Sequence, residues 1–200
     1  DPAKADLAIV FVKGPNGGVG YLREDREKGS NGYVPISLQY GKYTATDARA
    51  QSIAAGDPVV DPTITNRSYK DKSTTASNIT DLKSILDTKA AMNGKPVIVS
   101  MSLTNPAVVS EFESQVDGLL VSFGVQDQAL ADILSGKVEP SGLLPLQMPA
   151  DMHTVETQKE DVPQDMQPHK DSEGHVYDFA YGLNWKGVIK DGRTMKYGKK

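Results

Sequence analysis

Two short apolar runs in the middle of the chain constrain its fold more than any other feature. They occupy residues 96–103 and 116–123, and both are partly β-branched. Consecutive apolar residues are typical of strands buried on both faces of a parallel sheet, whereas half-buried strands alternate polar and apolar residues. Parallel neighbours need a crossover connection, and residues 106–115 are long enough to form a short helix there. The pattern predicts a strand–helix–strand unit whose ligands would bind beyond the carboxyl ends of the strands.

A third apolar run, residues 7–12, predicts the first strand, and a glycine-rich loop over residues 14–20 follows it. Such a loop after the first strand of an α/β sheet invites a nucleotide-binding interpretation. No Lys-Ser or Lys-Thr pair follows, which argues against a phosphate-binding P-loop. Arg23 stands where the third glycine of a dinucleotide-binding fingerprint would be. We therefore expect neither a nucleotide nor any other cofactor.

The rest of the chain predicts a single α/β domain over residues 1–200. An amphipathic helix is expected at residues 79–92 and another at 128–134, each followed by a glycine that favours a helix end. A short helix is expected at residues 46–54, an edge or irregular strand at 33–40 and a short strand within 139–149. The predicted fold is a doubly wound, mostly parallel sheet of five or six strands with helices on both faces, which is a flavodoxin-like αβα sandwich.

Two regions fall outside this regular pattern. Residues 29–77 are long, polar and weakly periodic, and we interpret them as an inserted loop region. Loops of more than about 12–15 residues are uncommon in compact domains and often functional. Residues 186–200 are expected to form a tail. The chain reaches its first strand within a few residues and shows no signal peptide, so we expect a piece of a longer protein.

Composition and charge argue against several classes of function. The formal net charge is −4 and the basic residues form no stripe, which argues against nucleic-acid binding. No apolar segment approaches the roughly 18 residues of a membrane span, so no membrane partner is expected. The chain has no cysteine, which excludes disulfides and thiolate metal sites. The three histidines are expected in polar loops without a metal: His153, His169 and His175.

Three segments together carry a family resemblance. The first is the strand and glycine-rich loop over residues 7–20. The second runs from residue 96 into Asp132-Ile-Leu-Ser-Gly136 and Pro140-Ser-Gly-Leu-Leu-Pro145, and the third is Tyr177-Asp-Phe-Ala-Tyr-Gly-Leu183. In order and spacing they resemble the carboxyl-terminal αβα sandwich domain of glycoside hydrolase family 3, the family of β-glucosidases and β-xylosidases. Residues 32–40 resemble an insertion of bacterial, exo-acting members.

The resemblance implies a role in a larger enzyme. In this family an upstream (β/α)8 barrel supplies the nucleophilic aspartate, and the second domain covers the active site. In many members the second domain also contributes the acid/base glutamate from the loop after its first strand. The chain would then be part of a retaining β-glycosidase that acts on an oligo- or disaccharide, inactive without its barrel and periplasmic or secreted. A homodimer is compatible with the resemblance.

Retaining glycoside hydrolysis needs two carboxyl groups about 5 Å apart, one as nucleophile and one as acid/base. The family motif places a glutamate in a Ser-Glu-Gly-x-Asp-Arg context. Asp25 and Arg26 match the end of that motif, but the position of the glutamate falls on Leu22. The acid/base must therefore be a different residue, or lie outside this chain.

Three neighbouring acids are the candidate catalytic residues. Glu24 ranks first, and Asp25 and Glu27 are alternatives, with a solvent-exposed, salt-bridged turn as the structural interpretation of all three. Two later acids are held in reserve: Glu156 and Glu160.

Four residues of the same region are candidate substrate-binding residues: Tyr21, Arg23, Tyr33 and Tyr40. Tyrosine rings can stack on the apolar faces of sugars, although packing within the protein is the commoner fate of such rings. The alternative to an enzyme domain is a non-catalytic, flavodoxin-like domain that serves packing or the recognition of a partner or sugar.

Overall fold

The computed structural model describes residues 1–52, 59, 61–159, 161–162 and 165–198. In chain order, the strands and α-helices are β1 (Ala8–Lys13), α1 (Arg23–Glu27), β2 (Tyr43–Thr44), β3 (Ser73–Thr74), α2 (Ile79–Met92), β4 (Val97–Ser102), β5 (Gly118–Ser122), α3 (Asp127–Leu134), α4 (Met152–Thr157), β6 (Leu183–Asn184), β7 (Gly187–Val188) and α5 (Gly192–Tyr197). Within these described ranges no helix is both long and apolar enough to cross a membrane.

The three apolar runs form one parallel sheet in the order β1–β4–β5. Its register aligns Val10 with Val99 and Val99 with Leu119, so that β-branched and leucine side chains lie side by side on one face. The predicted α/β class with a parallel sheet is therefore confirmed. Among the described residues the sheet has three strands instead of the expected five or six, and the other strands form two separate two-stranded ladders.

One face of the sheet carries the main core. Val12, Val99 and Met101 pack there with Ile85 of α2, and α2 lies against both β1 and β4. The prediction of a helix at 79–92 is confirmed at both ends. The helix ends at Asn93, whose left-handed backbone carries the chain directly into β4.

The opposite face of the sheet is less covered. Phe11 lies between Val10 and Val12, whose side chains point to the core face, and is itself 65% exposed. α3 begins one residue before the predicted helix and ends where expected. Residues of α3, Asp127 and Leu130, line a groove of about 400 Å³ on this face together with Phe11 and Ser100.

The crossover between β4 and β5 is not the predicted helix. Residues 106–112 form no helix, and only a 3₁₀ turn, Glu113–Gln115, precedes β5. Ala107 and Val109 pack in the main core, whereas Val108 between them packs in a second apolar cluster. Burial that alternates between opposite sides requires an extended chain, and the N–H of Val108 is satisfied by the carbonyl of Leu38 at 2.8 Å.

Two further expectations on local structure are wrong. Residues 46–52 contain bends and no helix, while residues 53 and 54 of that predicted helix lie outside the described residues. Residues 143–148 form no strand, although the N–H of Leu144 donates to the carbonyl of Tyr181 at 2.7 Å and the N–H of Ala180 donates back at 2.9 Å. Pro145 lacks the N–H that would continue such a ladder.

The predicted tail is more regular than expected. It contains β7 and α5, and the carboxylate of Asp191 caps α5 by accepting from the N–H of Arg193 at 2.8 Å. Residues 199 and 200 lie outside the described residues.

Candidate functional site

A cavity with a volume of about 610 Å³ lies beyond the carboxyl ends of β1 and β4. Neutral hydrogen-bonding side chains make up much of its wall, with the glycine-rich loop on one side. They are Asn16, Ser37, Asn78, Ser102, Thr104 and Asn105. Neutral donors and acceptors of this kind suit a hydroxylated ligand.

The glycine-rich loop and the start of the insertion lie side by side at this cavity. Gly17 pairs with Ser37, and Tyr21 pairs with Tyr33, in an antiparallel arrangement. A Cβ atom on Gly17 would lie 1.9 Å from the carbonyl oxygen of Ser37, so only glycine allows this approach. The two segments singled out as candidate walls of one site are therefore adjacent.

Asp25 is engaged in holding the insertion. Its carboxylate accepts from the N–H of Gly32 at 2.9 Å and from the ammonium of Lys72 at 2.6 Å. Burial acts to raise the pKa of Asp25, but Lys72 and the other hydrogen bonds outweigh it and hold the pKa below its ordinary value. A carboxyl group held ionised in this way is a poor proton donor.

The other two acids of α1 differ in their partners. Glu27 accepts from the guanidinium of Arg23 at 2.8 Å, and both side chains are largely exposed. The side chain of Glu24 is exposed and has neither a hydrogen bond nor an ion pair within the part of the chain that the structure describes. Glu24 is thus the one acid of this helix whose carboxylate is not already paired with a cation.

Tyr21 and Tyr33 lie together beside α1. Their rings meet edge to face with centroids 5.6 Å apart, and Tyr21 is 44% exposed. The guanidinium of Arg67 lies 5.6 Å from the centroid of the Tyr33 ring. Gly32 has a left-handed backbone, and a Cβ atom there would lie 2.4 Å from the Tyr21 ring. Sequence reasoning missed Arg67, because a single arginine in an aperiodic polar stretch carries no motif.

Tyr40 is a core residue, and its side chain has no exposed surface through which it could contact a substrate. Its side chain is fully buried and its ring packs against Phe112 with centroids 6.4 Å apart. Its hydroxyl donates to the carbonyl of Lys13, and its N–H donates to the carboxylate of Glu111 at 2.6 Å. Tyr40 comes three residues after Ser37, which pairs with Gly17 of the glycine-rich loop, and its side chain is buried in the core.

Of the two reserve acids, Glu156 is described and Glu160 lies outside the described residues. Glu156 is half-buried on α4, and its carboxylate accepts from the hydroxyl of Tyr69 at 3.5 Å. Burial is the main cause that raises the pKa of Glu156. On the exposed side of the same helix, His153 contacts Asp47 at 2.8 Å. The histidine therefore lies on a helix and not in the expected loop.

The histidines form separate pairs with carboxylates. The pairs are His153 with Asp47 at 2.8 Å, His169 with Glu113 at 3.2 Å and His175 with Asp171 at 2.9 Å. Among the residues that the structure describes, no three histidine, aspartate or glutamate side chains converge in a way that could hold a metal ion.

Comparisons with known proteins place this sequence in a family. A family model described as "Glycosyl hydrolase family 3 C-terminal domain" matches residues 1–185. Beta-glucosidase C of Emericella nidulans is 35% identical over 91 residues, which are 46% of this chain and 14% of that protein. A probable beta-glucosidase C of Aspergillus oryzae is 34% identical over 104 residues, which are 50% of this chain and 15% of that protein.

A periplasmic beta-glucosidase/beta-xylosidase of Dickeya chrysanthemi is 27% identical over 88 residues, which are 44% of this chain and 12% of that protein. The matches thus span no more than 15% of the length of any of these three relatives. Both fungal and bacterial proteins are among the relatives, so the matches do not single out a bacterial subgroup. No solved structure matches the chain significantly.

Proposed function

This chain belongs to the family of glycosyl hydrolase family 3 C-terminal domains, and from that premise we propose that it is the second domain of a retaining, exo-acting β-glycosidase. The whole enzyme would release terminal, non-reducing β-D-glucosyl or related residues from oligo- or disaccharides. A (β/α)8 barrel in the same polypeptide would supply the nucleophile. This domain would cover the active site, and it would be inactive alone.

The observation that carries the proposal is the convergence of the glycine-rich loop, α1 and the start of the insertion at one edge of the sheet. Ligands of open α/β sheets bind beyond the carboxyl ends of the strands, and the glycine-rich loop and the start of the insertion line the cavity at that position. The cavity there presents neutral hydrogen-bonding groups, while Tyr21 presents a partly exposed ring. Together they can contact both the hydroxyl groups and the apolar face of a sugar.

Within this site we assign the acid/base role to Glu24. A general acid must exchange its proton during the reaction, and a carboxylate fixed in an ion pair does so poorly. Asp25 is paired with Lys72 and Glu27 with Arg23, which leaves Glu24 available.

The test requires the full-length enzyme with Glu24→Gln, Asp25→Asn and Glu27→Gln made separately. Glu24→Gln is expected to lower kcat by about 10²- to 10⁴-fold on aryl β-glucosides with poor leaving groups, which need protonation. The loss should be smaller for dinitrophenyl glucosides, whose leaving group departs without an acid. Glu27→Gln is the matched control on the same helix, and its rate should stay near that of the wild type.

Two outcomes count against the assignment. If all three amide variants keep the full rate, then the acid/base lies outside α1, and Glu156→Gln is the next variant to assay. If Glu156→Gln is also fully active, the domain covers the site without donating the proton. That second, non-catalytic role gains support from the ion pairs of Asp25 and Glu27, which already give α1 a structural function.

We also propose a periplasmic or secreted location, which is supported by the relative from Dickeya chrysanthemi that is described as periplasmic. The barrel would be the main partner of the domain. A homodimer stays a proposal for the whole enzyme, to be tested by sedimentation of the full-length protein.

A further inference from the structure

Among the described residues, Arg67 is a cation without a counterion, and its guanidinium lies on the ring of Tyr33. Its guanidinium has no hydrogen bond or ion pair within the described residues, and its Nε is buried without a partner. Its contact with a side chain is with the face of the Tyr33 ring, 5.6 Å from the centroid. The neighbouring cations are different, because Lys72 pairs with Asp25 and Arg26 pairs with Asp61.

A buried donor without a partner is costly, so the surroundings of Arg67 must hold it in place. The side-chain amide of Asn31 does this from both sides. Its Nδ2 donates to the carbonyl of Asn66 at 2.9 Å and to the carbonyl of Ser68 at 2.7 Å. These two residues flank Arg67 in the chain, so its backbone is fixed at both peptide neighbours.

The same amide fixes the tyrosine on which Arg67 lies. The Oδ1 of Asn31 accepts from the N–H of Tyr33 at 3.1 Å and from the ammonium of Lys72 at 2.6 Å. One asparagine side chain thus sets the position of Arg67 relative to Tyr33. Tyr21 completes the group through its edge-to-face contact with Tyr33.

We propose that Tyr21, Tyr33 and Arg67 form a subsite for a sugar that carries a carboxylate, such as a hexuronate. The planar guanidinium can donate two parallel hydrogen bonds to a carboxylate, and its stacking on Tyr33 orients it beforehand. The partly exposed ring of Tyr21 offers an apolar surface for the sugar ring. The choice of a sugar as ligand rests on the proposed function, whereas the choice of a carboxylate rests on Arg67 alone.

The experiment is a titration of the ¹⁵N-labelled 200-residue chain with sodium D-glucuronate, followed by amide chemical shifts at constant ionic strength. D-Glucose, sodium acetate and sodium sulfate are the parallel ligands. Glucuronate should bind more tightly than glucose or acetate and should shift the amides around Tyr21, Tyr33 and Arg67. Arg67→Gln should weaken glucuronate binding by at least about tenfold and leave glucose binding unchanged.

Two further variants separate geometry from charge. Arg67→Lys keeps the charge but loses the planar fork, and its affinity should fall between those of the wild type and Arg67→Gln. Lys28→Gln removes the same charge from the exposed end of α1 and should leave binding unchanged. Amide spectra of each unliganded variant confirm that it is folded.

The proposal is overturned if the wild type binds glucuronate no more tightly than glucose, or binds neither. Equal weakening by Lys28→Gln and Arg67→Gln would overturn it too, because it would indicate only the general field of the surface. Acetate or sulfate binding as tightly as glucuronate would also overturn it, because it would indicate an anion site that does not recognise a sugar. This experiment measures binding and not turnover. The carboxylate subsite can therefore be refuted while the assignment of Glu24 holds, and the assignment of Glu24 can be refuted while the subsite holds.

Discussion

Replacing Asn31 by alanine should destabilise the fold more than an exposed asparagine normally would. The side chain makes four hydrogen bonds, to the carbonyls of Asn66 and Ser68 and from Tyr33 and Lys72. All four partners belong to the insertion. The variant removes the bonds without changing the apolar core, so it measures how much the insertion contributes to stability.

The expected loss follows from the number of bonds and their exposure. A hydrogen bond contributes about 0.5–1.5 kcal/mol net, and partners that are partly buried cannot all be satisfied by water. Lys72 keeps its contact with Asp25, so three bonds are effectively lost. We expect the free energy of unfolding to fall by about 2–4 kcal/mol, which for a domain of this size lowers Tm by roughly 5–15 °C.

Urea unfolding followed by far-ultraviolet circular dichroism measures the change. Asn31→Asp is the informative second variant, because it keeps the acceptor for Tyr33 but loses both donors to the carbonyls that flank Arg67. Gln158→Ala, at an exposed amide after α4, is the control and should change stability by less than about 0.5 kcal/mol. If Asn31→Ala lost as little stability as Gln158→Ala, then Asn31 would not be the residue that links Tyr33 to the segment around Arg67.

Two other substitutions test the core and the half-buried acid. Tyr40→Phe removes the hydroxyl that donates to the carbonyl of Lys13, and we expect it to lower the free energy of unfolding in urea by about 1 kcal/mol without changing sugar binding. If the sugar affinity changed and the stability did not, Tyr40 would be a substrate-binding residue after all. For Glu156, burial raises the pKa above the ordinary value of 4.5, so the wild type loses stability as the pH rises from that unfolded-state value through the folded-state pKa. Glu156→Gln should therefore be more stable than the wild type at pH 7, and this advantage should vanish as the pH falls to about 4; an advantage that does not depend on pH would contradict this origin.

The elements that were predictable from sequence are those fixed by local periodicity. β1, β4 and β5 are consecutive apolar runs, and α2 combines an apolar stripe with a stop at Gly94. In each case the pattern within a dozen residues determines both the type of element and its bounds. The parallel sheet follows from the same runs, because strands of this kind must be buried on both faces.

Other parts depend on contacts between distant residues and could not be predicted. The segment from Ala107 to Val109 looks like a helix start, but its side chains pack in two different clusters. Tyr40 and Tyr33 are equivalent in sequence terms, both in a polar insertion, yet one is buried in the core and the other lies beside α1. Arg67 becomes a candidate only because its guanidinium lies on the ring of Tyr33, a residue 34 positions earlier in the chain.

The insertion explains how α1, a helix of only five residues, holds its position. So short a helix has little stability of its own, and two ion pairs tie it to the insertion: Asp25 with Lys72 and Arg26 with Asp61. Asp25 and Arg26 are the two residues that match the end of the family's motif, and both are used for anchoring. The matching part of the motif therefore positions the helix, and we propose that a neighbour without such an ion pair transfers the proton. Glu24, which projects from the same anchored turn without an ion pair, meets that requirement among the described acids of α1.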